Sequence, residues 1–529
     1  MPHRSDPTTL AISNAWIAAI AMLAWAVSLV GTPCRAQDAE KMGEEPVVAL
    51  VVCPPEFDAA IGPWIEHRQS DGIRVVKLPS QSTAEKLQAS IREAADDQTR
   101  YVVLIGDAPA IGTPCDVQSQ IPTGYSKSVV TAKWGSTPTL ASDLSFGDLD
   151  GDGVPELCVG RLPVDDAGSL TKLVDRIIAY ETCVDFGDWR NQVQLVGGVG
   201  GFGAFADSAI ESVTRSVVTG VLPPETRTIV SYASEGHMFC PVGDSFTSAV
   251  VDRYCRGCRF WVYAGHGSVT RLDRFPRTAE GMPILDSMTV RQLQNKQGVA
   301  PIAMLLCCFT GAFDASEDSF AEQLLLHDGG AIAVLSGSRV TMPYGNATAA
   351  VSLIDGVYAQ RLPRLGDAWL VTLRQIMKDD EANRSSIRVM MDGLATMISP
   401  AGTKLIDERS EHAQLYNLLG DPMLRLNPPQ PVQIKAETGY QPGTPITIEL
   451  TSPIDGRLTL SCHHPLGASS AEDPNETQVA VQHADVAAGL GQAFAITLPE
   501  KISGPMILRA HVSGVAGWAS GAARTNVRQ

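Results

Sequence analysis

A histidine and a cysteine, each at the end of an apolar run and each near glycine, are the residues of this chain best suited to chemistry. The run Arg259-Phe-Trp-Val-Tyr-Ala264 leads into Gly265-His266-Gly267-Ser268. The run Pro301-Ile-Ala-Met-Leu-Leu306 leads into Cys307-Cys308-Phe-Thr-Gly311-Ala-Phe313. A thiol is nucleophilic but mostly protonated at neutral pH. A nearby imidazole stabilises the thiolate or protonates the leaving group. Gly267 has no side chain, so its N–H can approach a substrate carbonyl oxygen and, with the Cys308 N–H, form an oxyanion hole. Each half alone has a plainer reading. A single exported cysteine is commonly a disulfide half or a small buried residue, and a histidine at a strand end is commonly only hydrogen-bonded. The pairing of the two is what points to nucleophilic catalysis.

These residues need elements that hold them together. Val47–Cys53 and Tyr101–Ile105 are continuous apolar runs, as expected of strands buried on both faces. Gln192–Val196, Thr228–Ser231, Arg259–Ala264, Pro301–Leu306 and Ala331–Leu335 are further strand candidates. Ser82-Thr-Ala-Glu85 reads as a capping box opening a helix to about Ala95. Ser169–Tyr180 places Leu170, Leu173, Val174, Ile177 and Ile178 on one helical face. Helical patterns also cover 207–218, 245–254 and 319–326. The alternation predicts an α/β sheet with helices on both faces. His266 and Cys308 then lie at carboxyl ends of strands, where such sheets gather ligands. Their separation, 266 to 308, leaves room for one βαβ crossover of roughly 30 residues. After Leu418-Leu-Gly-Asp-Pro422 and Pro428-Pro429 the pattern turns to short alternating segments with frequent glycine and proline, which predicts a β-sandwich.

A second constellation is Asp148-Leu-Asp150-Gly-Asp152-Gly-Val-Pro-Glu156. Oxygen ligands at alternate positions with turn glycines suit calcium. An EF-hand would need glutamate at position twelve, where Val159 stands, so the predicted loop is of another type. Its plainer reading is an acidic turn between strands.

The two catalytic blocks resemble those of gingipain-type cysteine peptidases, in the caspase-like group. YAGHGS at 263–268 is close to the gingipain histidine motif, and CFTGAF at 308–313 resembles its Cys-x-x-Gly-x-Phe element. That register selects Cys308 as nucleophile and leaves Cys307 where the family often has alanine. Asp143, Pro155–Pro163, Ala331–Arg339 and Leu419–Pro422 extend the resemblance over roughly residues 46–428. True caspases fit less well, since their cysteine lies in a Gln-Ala-Cys-x-Gly context. The resemblance implies a caspase/gingipain-like sheet followed by an immunoglobulin-like β-sandwich. It implies an acid that orients His266, for which Asp207 is the candidate and Glu156 a rival. It also implies structural rather than catalytic calcium, held by Asp148, Asp150, Asp152 and Glu156. The expected divisions are a signal peptide at 1–36, an N-terminal α/β subdomain at 37–190, a catalytic subdomain at 191–429 and the sandwich at 430–529.

The chain has 529 residues, with 58 acidic against 41 basic, a net charge of −17. This balance argues against a nucleic-acid backbone as partner. An apolar fraction of 44% with 19% charged residues excludes a long disordered chain. The apolar run Ala15–Val30, broken only by Ser28, leads to Cys34-Arg35-Ala36 and reads as a secretory signal cleaved after Ala36. The alternative is an uncleaved anchor, while no second run is long enough to span a bilayer. Cleavage removes two basic residues and one acidic one, taking the charge from −17 to −18. Of eleven cysteines ten then remain, and export permits disulfides. Cys255-x-x-Cys258 lacks a second pair for zinc and reads as a disulfide or two thiols. The glycine-rich stretch 197–203 does not match the dinucleotide fingerprint, so no organic cofactor is expected. His463-His464 reads as surface. Asn346, Asn383 and Asn475 open glycosylation-type triplets.

The expected function is an exported cysteine endopeptidase acting on protein or peptide substrates, without stable membrane insertion after signal cleavage. The alternatives are a calcium-stabilised scaffold or adhesion protein with an inactive peptidase fold, which would leave Cys308 buried or disulfide-bonded, and a transpeptidase or secretion-processing enzyme. Gingipains use an acid in the primary pocket to favour a basic residue before the cut, and no single acid here stands out for that role. Arg271, Arg274 and Arg277 in the loop 269–300 could instead favour acidic substrates.

Overall fold

The computed structural model describes residues 46–528 apart from 202–203, 242–244, 277, 279–280, 297, 379–383, 399–401 and 470. The expected signal peptide, Arg277 and Asn383 lie outside the described residues. Ten strands form one sheet: β1 (Val48–Val52), β2 (Arg74–Leu78), β3 (Thr99–Ile105), β4 (Cys158–Leu162), β5 (Gln192–Gly197), β6 (Arg227–Tyr232), β7 (Phe260–Ala264), β8 (Ile302–Leu306), β9 (Ala333–Gly337) and β10 (Tyr416–Leu419). Their order across the sheet is β2-β1-β3-β4-β10-β9-β8-β7-β5-β6. Within it β9 and β10 pair antiparallel, whereas β8–β9, β7–β8, β5–β7 and β5–β6 pair parallel.

The apolar runs become strands because both faces are covered. Ala49 and Val51 of β1 enter one core, and Val48, Leu50 and Val52 enter a second on the opposite face. This is the two-residue alternation of a strand in a sheet with helices on both sides. β2 is an edge strand with Arg74 and Lys77 exposed, so it lacks the continuous apolar run that marks the other strands in the sequence. The helix Ala84–Ala94 is capped by Thr83, whose hydroxyl accepts from the Lys86 amide, and not by Ser82 as the pattern suggested.

The blocks around Asp143 and Arg161 are explained by one buried ion pair. Arg161 Nε and Nη2 donate to the two Asp143 oxygens at 2.7 and 2.8 Å. Its remaining donors reach the carbonyls of Gly106, Ile121 and Pro122. A guanidinium has five donors in a fixed fork, so one arginine pins three loops at once. A second network joins Arg68, Glu181 and Asp421, all buried. Burial alone would raise the Glu181 carboxyl, but the His67 hydrogen bond and the Arg68 charge outweigh it and hold the group at about 2. A depressed folded-state value means the unfolded chain binds the proton first. The stabilisation is therefore complete above about pH 4.5 and is lost as pH falls toward 2. Glu181→Gln should flatten that acid limb in denaturant titrations across pH.

Residues 430–528 form two sheets around their own core. One has five strands, including Gly456–His463, Gly504–Ser513 and Trp518–Val527, and the other has three, including Pro445–Thr451 and Gly491–Thr497. Ile446, Ile448 and Leu450 alternate inward, as expected of a strand in a sandwich. Corrections to the sequence reading also fall here. His463 is buried, not on the surface, and its ring bonds Thr477 and Ser461. Asn475 is buried as well: its Oδ1 accepts from the Val230 N–H at 2.8 Å and its Nδ2 donates to the Val230 carbonyl at 3.0 Å. It therefore occupies the open edge of β6 as a partner strand would. Arg253–Asp473 at 2.9 Å and the His511 ring on the Phe186 carbonyl at 2.8 Å add to this interface.

Candidate active site

Three adjacent parallel strands end level with one another. Leu306 of β8 pairs with Ala264 of β7, and Ala264 pairs with Gly197 of β5. The chain leaves these ends as Cys307-Cys308, Gly265-His266 and Gly198, so residues 266 and 308 are brought to one edge as expected. Asp207 lies in the helix Ala204–Ser216 that follows β5, on the wall of the same cavity as Cys308 and Gly265. Its carboxylate accepts from the Gly201 amide at 3.1 Å. Glu156 is placed elsewhere, in the 148–156 loop, where it accepts from the Leu149 amide at 2.7 Å.

Strand alternation separates the two cysteines. Cys307 continues the face of Leu305 into the core, and Cys308 continues the face of Leu306. Cys307 is fully buried, its sulfur 3.1 Å from the Thr310 hydroxyl, and burial pushes its thiol far up from the usual range. Cys308 is half-buried and lines the cavity. The Thr341 amide donates to its sulfur at 3.4 Å, and the Thr341 carbonyl lies 3.7 Å away. The next residue, Phe309, has φ 60°, a left-handed conformation rare outside glycine. Its N–H donates to the Arg339 carbonyl at 3.0 Å, which holds the turn that presents Cys308.

The glycines flanking the site are required by close approach. A Cβ on Gly267 would meet Thr310 Cγ2 at 2.8 Å, the Cys308 carbonyl oxygen at 2.9 Å and Cys307 Sγ at 3.0 Å. Gly267→Val therefore has to displace the main chain at Cys308 or the Thr310 side chain. A shift of about 1 Å in a reacting group costs about 100-fold in rate, so a loss of that order in any peptidase turnover, with about 1–3 kcal/mol of stability, is the expected result in steady-state kinetics and denaturant unfolding. Gly198 and Gly265 approach each other equally closely, and a Cβ on either would meet the Tyr263 hydroxyl. That hydroxyl donates to the His266 carbonyl at 2.8 Å and so fixes the histidine turn. The glycine-rich stretch after β5 thus has a packing role at Gly198.

Thr341 is held in turn by residues that sequence patterns did not reveal. It precedes the helix Pro343–Ile354, whose N-cap, Met342, offers no side-chain cap. The cap comes from the helix Leu405–Leu415: His412 Nε2 accepts from the Met342 amide at 2.8 Å, with Nδ1 donating to the Glu408 carbonyl at 2.7 Å. A Cβ on Gly345 would overlap the His412 ring, which explains a glycine inside this helix. Burial lowers the His412 ring to about 4. The unfolded ring binds a proton near pH 6.5, so stability present above that pH is lost progressively as pH falls to about 4. The shift corresponds to about 3 kcal/mol. His412→Gln should remove this slope from the pH dependence of unfolding.

The acidic loop brings together three of its four expected ligands. One carboxylate oxygen each of Asp148, Asp150 and Glu156 lies within 4.8 Å of the others. Asp152 lies outside this cluster, its Oδ1 accepting from the Val154 amide at 2.7 Å. Gly151 and Gly153 have φ of 84° and 88° and donate to Asp148, which closes the loop. All ten cysteines of the described residues are free, Cys255 and Cys258 included.

The description of peptidase family C25 matches residues 43–427, well over half of the chain. Lys-gingipain W83 of Porphyromonas gingivalis is 23% identical over 309 residues, 55% of this chain and 16% of that protein. Lys-gingipain of P. gingivalis strain ATCC 33277 is 22% identical over 310 residues, with the same coverage. The chain thus matches only about a sixth of the length of these curated relatives. Among solved structures, the Arg-specific cysteine proteinase gingipain R aligns over 94% of this chain and all of its own, with a TM-score of 0.53 at 17% identity. The P. gingivalis complex of RgpB pro- and mature domains aligns over 91% of this chain and all of its own, with a TM-score of 0.51 at 16% identity. These likenesses establish a common fold. Family match, sheet topology and the Cys-His strand ends agree, and the chain belongs to peptidase family C25, the gingipain-type cysteine peptidases.

Proposed function

We propose that this chain is an exported cysteine endopeptidase in which Cys308 attacks the scissile carbonyl. The observation that carries this reading is the placement of Cys308 and His266 just beyond the ends of neighbouring parallel strands, with Cys308 half-buried on a cavity and free of any disulfide. That placement speaks against the scaffold alternative, which called for a buried or bonded thiol. The Cys308 thiol gives its proton to His266 and the sulfur adds to the carbonyl carbon, whose oxygen takes the negative charge, stabilised by the Gly267 and Cys308 amides. His266 gives a proton to the departing amine, leaving a thioester. Water then adds with His266 as general base and releases the acid and the thiol. Asp207 orients His266 in this scheme, as the cavity wall shared by Asp207, Gly265 and Cys308 supports.

The test is cleavage of a mixed peptide library under reducing conditions by wild type and His266→Ala. Turnover lost in the variant supports the reading; no turnover together with a thiol that resists alkylation sinks it.

Export rests on the apolar run Ala15–Val30. Among the described residues no helix is long and apolar enough to cross a membrane. Asp148, Asp150 and Glu156 fit a hard cation, since three carboxylates converge with oxygen donors alone. Bound calcium would neutralise their mutual repulsion and tie the loop together. At 100 times its dissociation constant, calcium should raise stability by about 2.7 kcal/mol. Calorimetry with calcium or with chelator would read this, and Asp148→Asn should abolish the difference.

A further inference from the structure

Beneath Cys308 lies a cavity of about 490 Å³. Native interiors are close-packed with few voids larger than a water molecule. About 150 Å³ is already enough to take up a benzene ring. This space is therefore of the size of a ligand pocket rather than a packing gap.

Strand alternation sets its chemistry. Cys308, Leu306 and Met304 share one face of β8 and its continuation, and all three line the cavity. Ala264 and Val262 line it from β7, and Leu195 and Val193 from β5. The floor below the sulfur is thus apolar across three strands. The opposite wall is also mostly apolar: Val213 and Val217 follow Asp207 along the chain, Ala347 and Val351 come from the helix Pro343–Ile354, and Met391 comes from the helix Ser386–Ile398. Asp207 and Glu211 are the carboxylates on this lining. Asp207 accepts the Gly201 amide, and Glu211 pairs with Arg215 at 3.1 Å, with His237 3.9 Å away. Arg271 and Arg274 do not line the cavity.

In a peptide attacked by Cys308, the residue before the cut has its Cα bonded to the reacting carbonyl carbon. Its side chain is therefore the group that enters a cavity adjoining the sulfur. We infer that this cavity is the primary specificity pocket and that it selects a large apolar residue (leucine, methionine or phenylalanine) before the scissile bond. The inference rests on the peptidase reading above. A cationic side chain placed there would lose its water against an apolar floor and meet the Arg215 guanidinium that lines the cavity beside Glu211.

The experiment compares kcat/KM of the full chain on seven fluorogenic peptides that differ only before the leaving group: leucine, methionine, phenylalanine, alanine, arginine, lysine and glutamate. One methylene in an apolar pocket is worth about 10–200-fold, so leucine should exceed alanine by at least about tenfold. Arginine, lysine and glutamate should fall below alanine. Ala347→Phe, which fills the pocket, should bring the leucine-to-alanine ratio toward one. The wild-type order decides the matter even if that variant does not fold. Preferred cleavage after arginine, lysine or glutamate overturns the pocket assignment and leaves the peptidase reading standing. Failure to cleave any of the seven, with Cys308 inert to alkylation, overturns both.

Discussion

Cys308→Ala is expected to abolish peptide-bond cleavage, with a loss on the order of 10⁶-fold in kcat, as when the nucleophile of a unit that acts together is removed. Cys307→Ala, one residue away, should keep kcat within about tenfold and cost about 1–2 kcal/mol of stability. The contrast follows from strand geometry. Cys307 points into the core against Thr310, whose hydroxyl lies 2.9 Å from that of Ser336, and burial keeps its thiol protonated. Cys308 faces the cavity with the Thr341 amide on its sulfur. Rapid alkylation should mark Cys308 before Cys307, and steady-state kinetics on the two variants checks the rest. Equal losses in both variants would mean that the pair acts jointly and that the assignment of the nucleophile is wrong.

Arg339→Met is expected to destabilise the protein by about 3–5 kcal/mol, the cost of leaving a buried charge without its partner. Arg339 donates to both oxygens of Asp314 at 2.8 and 2.6 Å, with both side chains at most 4% exposed. Its Nε reaches the Thr137 hydroxyl and the Thr139 carbonyl, and its own carbonyl accepts the Phe309 amide. One residue thus ties the loop carrying Cys308 to β9 and to the chain near Thr139. Activity should fall with stability, because the side-chain ties of residue 339 to Asp314, Thr137 and Thr139 are lost even though its carbonyl still accepts the Phe309 amide. Arg339→Lys keeps the charge but not the fork, so an intermediate loss is expected. The double variant Arg339→Met, Asp314→Leu should recover much of the stability, since it removes both charges together. Denaturant unfolding of the three variants measures this directly. A double variant no better than the single one would show that packing, not the uncompensated charge, dominates.

Much of this was legible before any coordinates. The continuous apolar runs specified β1, β3, β7, β8 and β9, because strands covered on both faces cannot carry polar residues cheaply. The edge strand β2 carries no such run because Arg74 and Lys77 meet water. The capping pattern fits Ser82 or Thr83, since both side chains can accept, and backbone geometry chooses Thr83. His463 reads as a surface group and Asn475 as the start of a glycosylation-type triplet, yet both are buried. Polarity alone does not reveal a residue whose hydrogen bonds are met inside an interface.

Local pattern and spacing alone place a thiol and an imidazole at the ends of two buried strands with glycines beside them. They also place a turn of alternating carboxylates before β4. Which cysteine faces the cavity, the separation of Asp152 from the acidic cluster and the apolar character of the space under Cys308 emerge once the chain has folded. Nor could the pattern show that His412 caps the helix following Thr341, or that Arg339 locks the catalytic turn. Those relations join residues far apart in the chain, and what joins them is the need to satisfy each buried amide and charge once the strands have come together.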